Sequence, residues 1–264
     1  MTKTNQQKVK DFLINNGVII VMFILVIYTG FTSDNFFTKN NFMNILMNMS
    51  SRLVIALGIA GCVITAGCDL SAGRMIGFGA CISGMLLQRM DYSGKFFPDM
   101  QPLNVFVVAL IAMLVCAAFG TVTGFFIAYL NVPPFIATLA MMEIVYGIGL
   151  IVTNATPLGG YVEQYTNVSN GKFLGINYLI WIAIIVAAIT WFIFNMTRHG
   201  KYMYAIGGNP QAAEVAGVPV KATLILIYMK QQLCMVLQVS CSVQKPAVHP
   251  SRPDMVTRWK QSQL

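Results

Sequence analysis

Few residues in this 264-residue chain have the type and spacing that chemistry requires. Its two histidines, His199 and His249, lie outside any HExxH pattern that could hold a metal. A phosphate-cradling loop needs a glycine five positions before Gly-Lys and a hydroxyl after it, and Gly94-Lys95, Gly171-Lys172 and Gly200-Lys201 fail both conditions. Ser71 and Ser83 are not flanked as GxSxG, so no nucleophile elbow is present. Of the cysteines, Cys62, Cys68, Cys81 and Cys116 lie in or beside apolar stretches, Cys234 and Cys241 lie near the C-terminus, and no pair has metal or redox spacing. Neither ATP hydrolysis nor hydrolase chemistry is expected of these residues, and no cofactor or metal is expected in this chain. Uphill movement of a solute would draw on a partner or an ion gradient.

What remains is polarity set inside apolar sequence. The segment TAGCDLSAGR, Thr65 to Arg74, places Thr65, Asp69, Ser71 and Arg74 beside glycines at a membrane boundary. Charges there are costly unless paired or wet, which makes these residues candidates for a pathway or gate. A local Asp69–Arg74 ion pair fixing the turn is the rival reading. Glu143 is an acid in the middle of an apolar run, facing either a polar cavity or, if the run is shifted, an interface. Gly73 with Gly77 and Gly120 with Gly124 have the GxxxG spacing that lets helices cross closely. Gly207 to Val218, GGNPQAAEVAGV, reads as a self-contained two-turn helix. Asn209 suits its cap, Pro210 its first position, Gly217 a left-handed exit and Pro219 a stop. Ala212, Ala213 and Ala216 between those stops would let another surface approach the backbone; an ordered loop of no special role is the plainer alternative.

The elements that must position these residues follow from composition: 56% of the chain is apolar, 10% is charged and the mean hydropathy is +0.68. An all-α polytopic membrane bundle is expected, since no succession of alternating segments suggests a barrel. Six spans are placed at Leu13–Phe31, Ile45–Gly67, Met75–Leu87, Leu103–Leu130, Phe135–Val152 and Tyr178–Met196. Lys3, Lys8 and Lys10 in an N-terminal segment 1–12, and Arg198, Lys201 and Lys221 in a loop 197–221, put both on the cytoplasmic side. The intervening outer loops balance their basic residues with Asp34, Asp91, Asp99 and Glu163. The first run is read as a retained anchor, because no small-x-small cleavage pattern follows it. Half of the net charge of +8 sits in Lys230–Leu264 and the rest is spread over loops, which argues against a nucleic-acid partner. Pro133 and Pro134 make a sharp reversal, so the fourth and fifth spans should be antiparallel neighbours.

The wording ALGIAGCVITAGCDLSAGR (Ala56–Arg74), NVPPFIATLAMMEIVYG (Asn131–Gly147) and YAIGGNPQAAEVAGV (Tyr204–Val218) resembles the permease subunits of bacterial ABC sugar importers, in the ribose/galactose/branched-chain amino acid group. The likeness runs from Asp11 to Tyr228 and is nearest in wording to the galactose/methyl galactoside branch. The resemblance implies two permease copies in the bacterial inner membrane, a sugar-binding protein that delivers a monosaccharide, and an ABC ATPase subunit carrying ATP and Mg. The family's coupling helix would fall on Asn209, Pro210, Ala212, Ala213 and Gly217, beside Gly207 and Gly208. Its motif after the second span falls on Asp69, Leu70, Ser71 and Gly73. An ion-driven secondary transporter working through Glu143, or an inert membrane fragment, are the alternative functions.

The chain departs from the family pattern near its end. Only Ala222–Met229 precedes Lys230-Gln231-Gln232, which is read as interrupting an incomplete seventh span. Lys230–Leu264 holds none of the 22 glycines but three of the ten prolines, Pro246, Pro250 and Pro253. A reading-frame shift near Met229 or an erroneous gene model is the expected origin of this segment; a genuine cytoplasmic tail is the alternative.

Overall fold

The computed structural model describes residues 13–14, 16–33, 35–92, 94–156, 158–165 and 171–241. The lysines at 3, 8 and 10, Asp34, His249, the three tail prolines and all of 1–12 and 242–264 lie outside the described residues. The chain divides into two units, 1–48 and 49–264.

In the first unit, helix α1, Gly17–Thr32, is apolar and has no buried residue. Thr29 and Thr32 turn their hydroxyls onto the Leu25 and Tyr28 carbonyls at 2.7 and 2.9 Å, so neither hydroxyl needs a partner outside the helix. Its 16 residues extend about 24 Å, less than the hydrocarbon core of a typical bilayer. Helix α2, Lys39–Ile64, begins in this unit and continues into the next.

The second unit is a helical bundle. After α2 come α3 (Ala72–Leu86), α4 (Val105–Tyr129), α5 (Pro134–Thr153), a short hairpin of β1 (Lys172–Phe173) and β2 (Ile176–Asn177), α6 (Tyr178–Met196), α7 (Arg198–Gly208), α8 (Pro210–Val215) and α9 (Val220–Cys241). Their ends follow local chemistry. Asn104 and Asn177 cap α4 and α6 by accepting the Phe106 and Leu179 amides at 2.9 and 2.8 Å. Pro134 occupies the first turn of α5, and Asn154, at φ 50°, closes it in the left-handed conformation. The hairpin turns through Leu174 and Gly175, both at positive φ.

Five helices are long and apolar enough to cross a membrane: α2, α4, α5, α6 and α9 as far as Gln238; α1 and α3 are shorter apolar helices. Four of these five coincide with expected spans. The fifth corrects the incomplete seventh span: the helix does not break at Lys230 but runs on through Gln231 and Gln232. Both glutamines fall on the buried stripe of α9, one turn beyond Ile227 and Tyr228 and one turn before Met235 and Val236. Polar residues on that stripe are tolerated because they are hydrogen-bonded inside the bundle.

Helix α9 joins two core clusters. Val236 packs with Met75, Phe78 and Ile82 of α3, Ala112 and Cys116 of α4, and Met141 and Val145 of α5. Ile227 and Tyr228 pack with Cys62, Ile127, Ala137 and Met203. Gly120 and Gly124 make the α4–α9 crossing possible. A methyl group at Gly120 would lie 2.6 Å from the Tyr228 carbonyl oxygen, and one at Gly124 would lie 2.7 Å from the Ile225 Cα.

Connections gather at opposite ends of the bundle. At one end Gly67 lies by Pro134, Gly207 by Ile64, and Lys221 over the Tyr129 ring at 5.2 Å. At the other, the buried Gln88 donates to the Gly159 carbonyl at 3.1 Å and accepts the Phe96 amide at 2.7 Å. Beside it Leu87, Val105, Val108 and Tyr165 form a small core.

Candidate functional site

The loop between α2 and α3 is tied down by its own backbone and by α9. Thr65 donates its hydroxyl to the Gly61 and Cys62 carbonyls at 3.1 and 3.0 Å, which fixes it at the helix end. Ala66 adopts a left-handed φ of 55°, and the Gly67 amide returns to the Cys62 carbonyl at 2.8 Å. Asp69 is then carried into the bundle, where it is 9% exposed. One carboxylate oxygen accepts the Ser71 amide and hydroxyl at 2.7 and 2.6 Å. The other accepts the side-chain amides of Gln231, at short range, and Gln232, at 2.9 Å. Gln232 also donates to the Ser71 hydroxyl at 3.3 Å, and Cys62 donates to Oε1 of Gln231. The rival reading, a local Asp69–Arg74 pair, does not hold: four donors from Ser71 and α9 occupy the carboxylate. Gln231 and Gln232, which interrupt the apolar run in the sequence, face inward here, one turn beyond the buried Ile227 and Tyr228.

Arg74 points elsewhere. Its guanidinium lies 4.0 Å from the centre of the Tyr146 ring, a cation–π contact between α3 and α5. A methyl group at Gly67, at the start of the same loop, would lie 3.9 Å from Pro134. Tyr146 is about 18 Å farther along α5, so Arg74 meets that helix far from where the loop begins. Glu143, one turn before Tyr146, is exposed near the midpoint of α5. Arg74 also lines a cavity of about 190 Å³ with Gly77, Cys81, Tyr146, Gly149 and Thr153. Gly73 and Gly77 were expected to pack a helix, but within this chain a methyl group at either would meet nothing within 4 Å. Only the Gly120–Gly124 pair makes a close crossing here.

The helix expected over Gly207–Val218 is divided. Gly207 and Gly208 close α7, Asn209 is extended, and α8 covers Pro210–Val215. Asn209 accepts the Ala212 amide at 3.0 Å, and Pro210 takes the first turn. Gly217, at φ 83°, ends the segment while the Val218 amide bonds the Ala213 carbonyl at 3.0 Å. Ala213 is buried, whereas Pro210, Ala212, Ala216 and Gly217 are exposed. Gly207 lies against the end of α2 so closely that a methyl group there would collide with the Ile64 carbonyl oxygen and lie 3.5 Å from the Thr65 Cα. The end of α7, which Asn209 joins to the exposed helix α8, thus rests by a backbone-to-backbone contact on the residues that begin the Asp69 loop.

A second cavity, about 240 Å³, lies among α2, α6, α7 and α9, and is largely apolar apart from His199, Lys230 and Gln231. Burial, with the Lys230 charge nearby, holds the His199 pKa below its ordinary value. Among the described residues, no group of three or more His, Cys, Asp or Glu side chains could hold a metal.

Residues 41–235 match the family described as the permease component of the branched-chain amino acid transport system. The galactose/methyl galactoside import permease of Escherichia coli (strain K12) is 40% identical over 235 residues, covering 86% of this chain and 70% of that protein. Its counterpart in Haemophilus influenzae (strain ATCC 51907 / DSM 11121 / KW20 / Rd) is 41% identical over 236 residues, covering 87% and 70%. The ribose import permease of Escherichia coli (strain K12) is 31% identical over 223 residues, covering 83% and 66%. No solved structure matches the chain.

Proposed function

This chain belongs to the permease-component family of the branched-chain amino acid transport system, and from that premise we propose that it is the membrane subunit of an ABC importer for a monosaccharide of the galactose/methyl galactoside class. It is a multi-pass membrane permease subunit and not an enzyme. In the full assembly two copies stand together in the inner membrane, with the N-terminus and α8 on the cytoplasmic side and lipid around the apolar faces. A separate ABC ATPase subunit holds ATP and Mg, and a sugar-binding protein delivers the substrate on the opposite side. Thr65, Asp69, Ser71, Arg74 and Glu143 lie along the route or its gate.

One observation carries this reading: the exposed, capped helix α8 follows directly on α7, which is seated through its Gly207 on the chain that leads into Asp69. An ATPase holding α8 in two positions would therefore move the loop between α2 and α3, and with it the polar residues at membrane depth. Such a device works only if the two nucleotide states of the ATPase grip α8 differently, since equal binding to both shifts nothing.

Exposure separates docking from folding on this helix. Ala212 faces outward and Ala213 inward, so Ala212→Trp should block ATPase docking while the permease still folds. In cells that also carry the ATPase and binding protein, this variant should accumulate normally, lose co-purifying ATPase and lose galactose uptake. Normal uptake by Ala212→Trp would overturn the coupling role of α8.

A further inference from the structure

The outward faces of the membrane helices are not alike. Helices α4 and α6 contain no charged residue, and their outer surfaces, with Phe106, Leu110 and Leu114 on one and Ile184, Ile185 and Phe192 on the other, suit contact with lipid. The outer face of α3 and α5 combines exposed apolar side chains, among them Ile144 and Ile151, with two opposite charges, Arg74 and Glu143. Glu143 is about 14 Å along α5 from Pro134, and Arg74 reaches α5 about 18 Å from that end. Neither charge makes an ion pair among the described residues. Arg74 has only the Tyr146 ring.

Charged groups at that depth are expensive against hydrocarbon and require a partner or water. The same face lacks side chains where a neighbour would need room: Gly73, Gly77 and Gly147 all open onto empty space. A two-fold interface uses one patch on both partners, so the patch must carry both members of each complementary pair. This one does, with a cation on α3 and a carboxylate on α5.

We propose that the open α3–α5 face receives the same face of a second copy of this chain, with Arg74 of each copy paired to Glu143 of the other. The proposal rests on the permease reading above, which calls for two copies, and assigns the surface and the charges that join them. The Gly73, Gly77 and Gly147 openings admit the partner's side chains, and Tyr146 holds Arg74 in place for the pairing. Each charge is neutralised without leaving the membrane.

Two differently tagged copies, expressed together and recovered from detergent-solubilised membranes, provide the test. Wild-type copies should co-purify. Self-association of R74E sets carboxylate against carboxylate, and that of E143R sets cation against cation, so each should lose about tenfold or more of the co-purified copy. Mixing an R74E copy with an E143R copy restores an opposite-charge pair at both contacts and should recover co-purification. A pair formed within one chain would be broken in both variants, and mixing would rescue nothing. Gly77→Trp, which fills the opening without changing charge, should also block association. Single variants that associate like wild type, as expected if the charges only line a water-filled route, would overturn the proposal, as would mixing without recovery. Failure of the wild-type copies themselves to co-purify would instead remove the two-copy reading on which it stands.

Discussion

Asp69 is the residue on which the interior of the second unit turns, because its carboxylate terminates four hydrogen bonds from two elements. Asp69→Ala would leave the Ser71 amide and hydroxyl and two glutamine amides facing a space without an acceptor. The expected loss is on the order of 2–4 kcal/mol in unfolding of the detergent-solubilised protein, with uptake abolished. Asp69→Asn should be milder. Its remaining oxygen can still accept from Ser71, and Oε1 of Gln232, which has no partner in the wild-type arrangement, can turn to accept the new amide. The Gln231 amide, whose Oε1 already accepts from Cys62, then loses its acceptor. A loss of about 1–2 kcal/mol, smaller than for Ala, is therefore expected for Asn, and the difference between the two variants is the measurement that matters. The importance of Asp69 was legible in the sequence from its charge among glycines. Its partners were not: an acid and an arginine five positions apart suggest a local pair, and only the tertiary contact with α9 shows that Ser71, Gln231 and Gln232 occupy the carboxylate instead.

At the scale of elements, the two GxxxG pairs have opposite fates, and the reason lies in what each helix faces. Gly120 and Gly124 meet the backbone of α9 at van der Waals contact or closer, while Gly73 and Gly77 meet nothing within the chain. Gly124→Ala should thus destabilise the solubilised protein by about 1–3 kcal/mol, because the backbone at Ile225 cannot yield as a flexible side chain could. Gly77→Ala should leave folding unchanged or improve it by up to about 1 kcal/mol, since alanine favours the helix. Thermal unfolding of the two variants side by side would check the contrast. Sequence spacing marks both pairs as sites of close approach but carries no information about which is met inside one chain. The same limitation produced the errors in extent. Hydropathy places α5 and α6 almost to the residue, because both are continuous apolar runs between strong stops, Pro133 and Pro134 before α5 and Asn177 before α6. It shortens α9, whose buried glutamines look like an interruption until Asp69 is seen beside them, and it misses α7, whose buried residues Gly200, Met203 and Ile206 are too few to stand out.

For the whole molecule, the arrangement separates a polar interior from its source of energy. The chain carries no phosphate-cradling loop, yet α7, joined to α8 at Asn209 and meeting Ile64 through Gly207, offers a path from the exposed helix to the loop that bears Asp69 and Arg74. Stiffness matters here because a displacement of α8 that was absorbed by flexible side chains would never reach the loop. Glu143 at the midpoint of α5 would suit a proton-driven transporter instead, so the two energy sources can be set against each other in cells. Without ATP to shift the balance between states, no net cycle runs. Galactose uptake should therefore fall to background when ATP is depleted. It should persist when an uncoupler collapses the proton gradient while ATP is maintained. Uptake that follows the gradient at constant ATP would assign the driving force to the gradient and remove the ATPase from the mechanism.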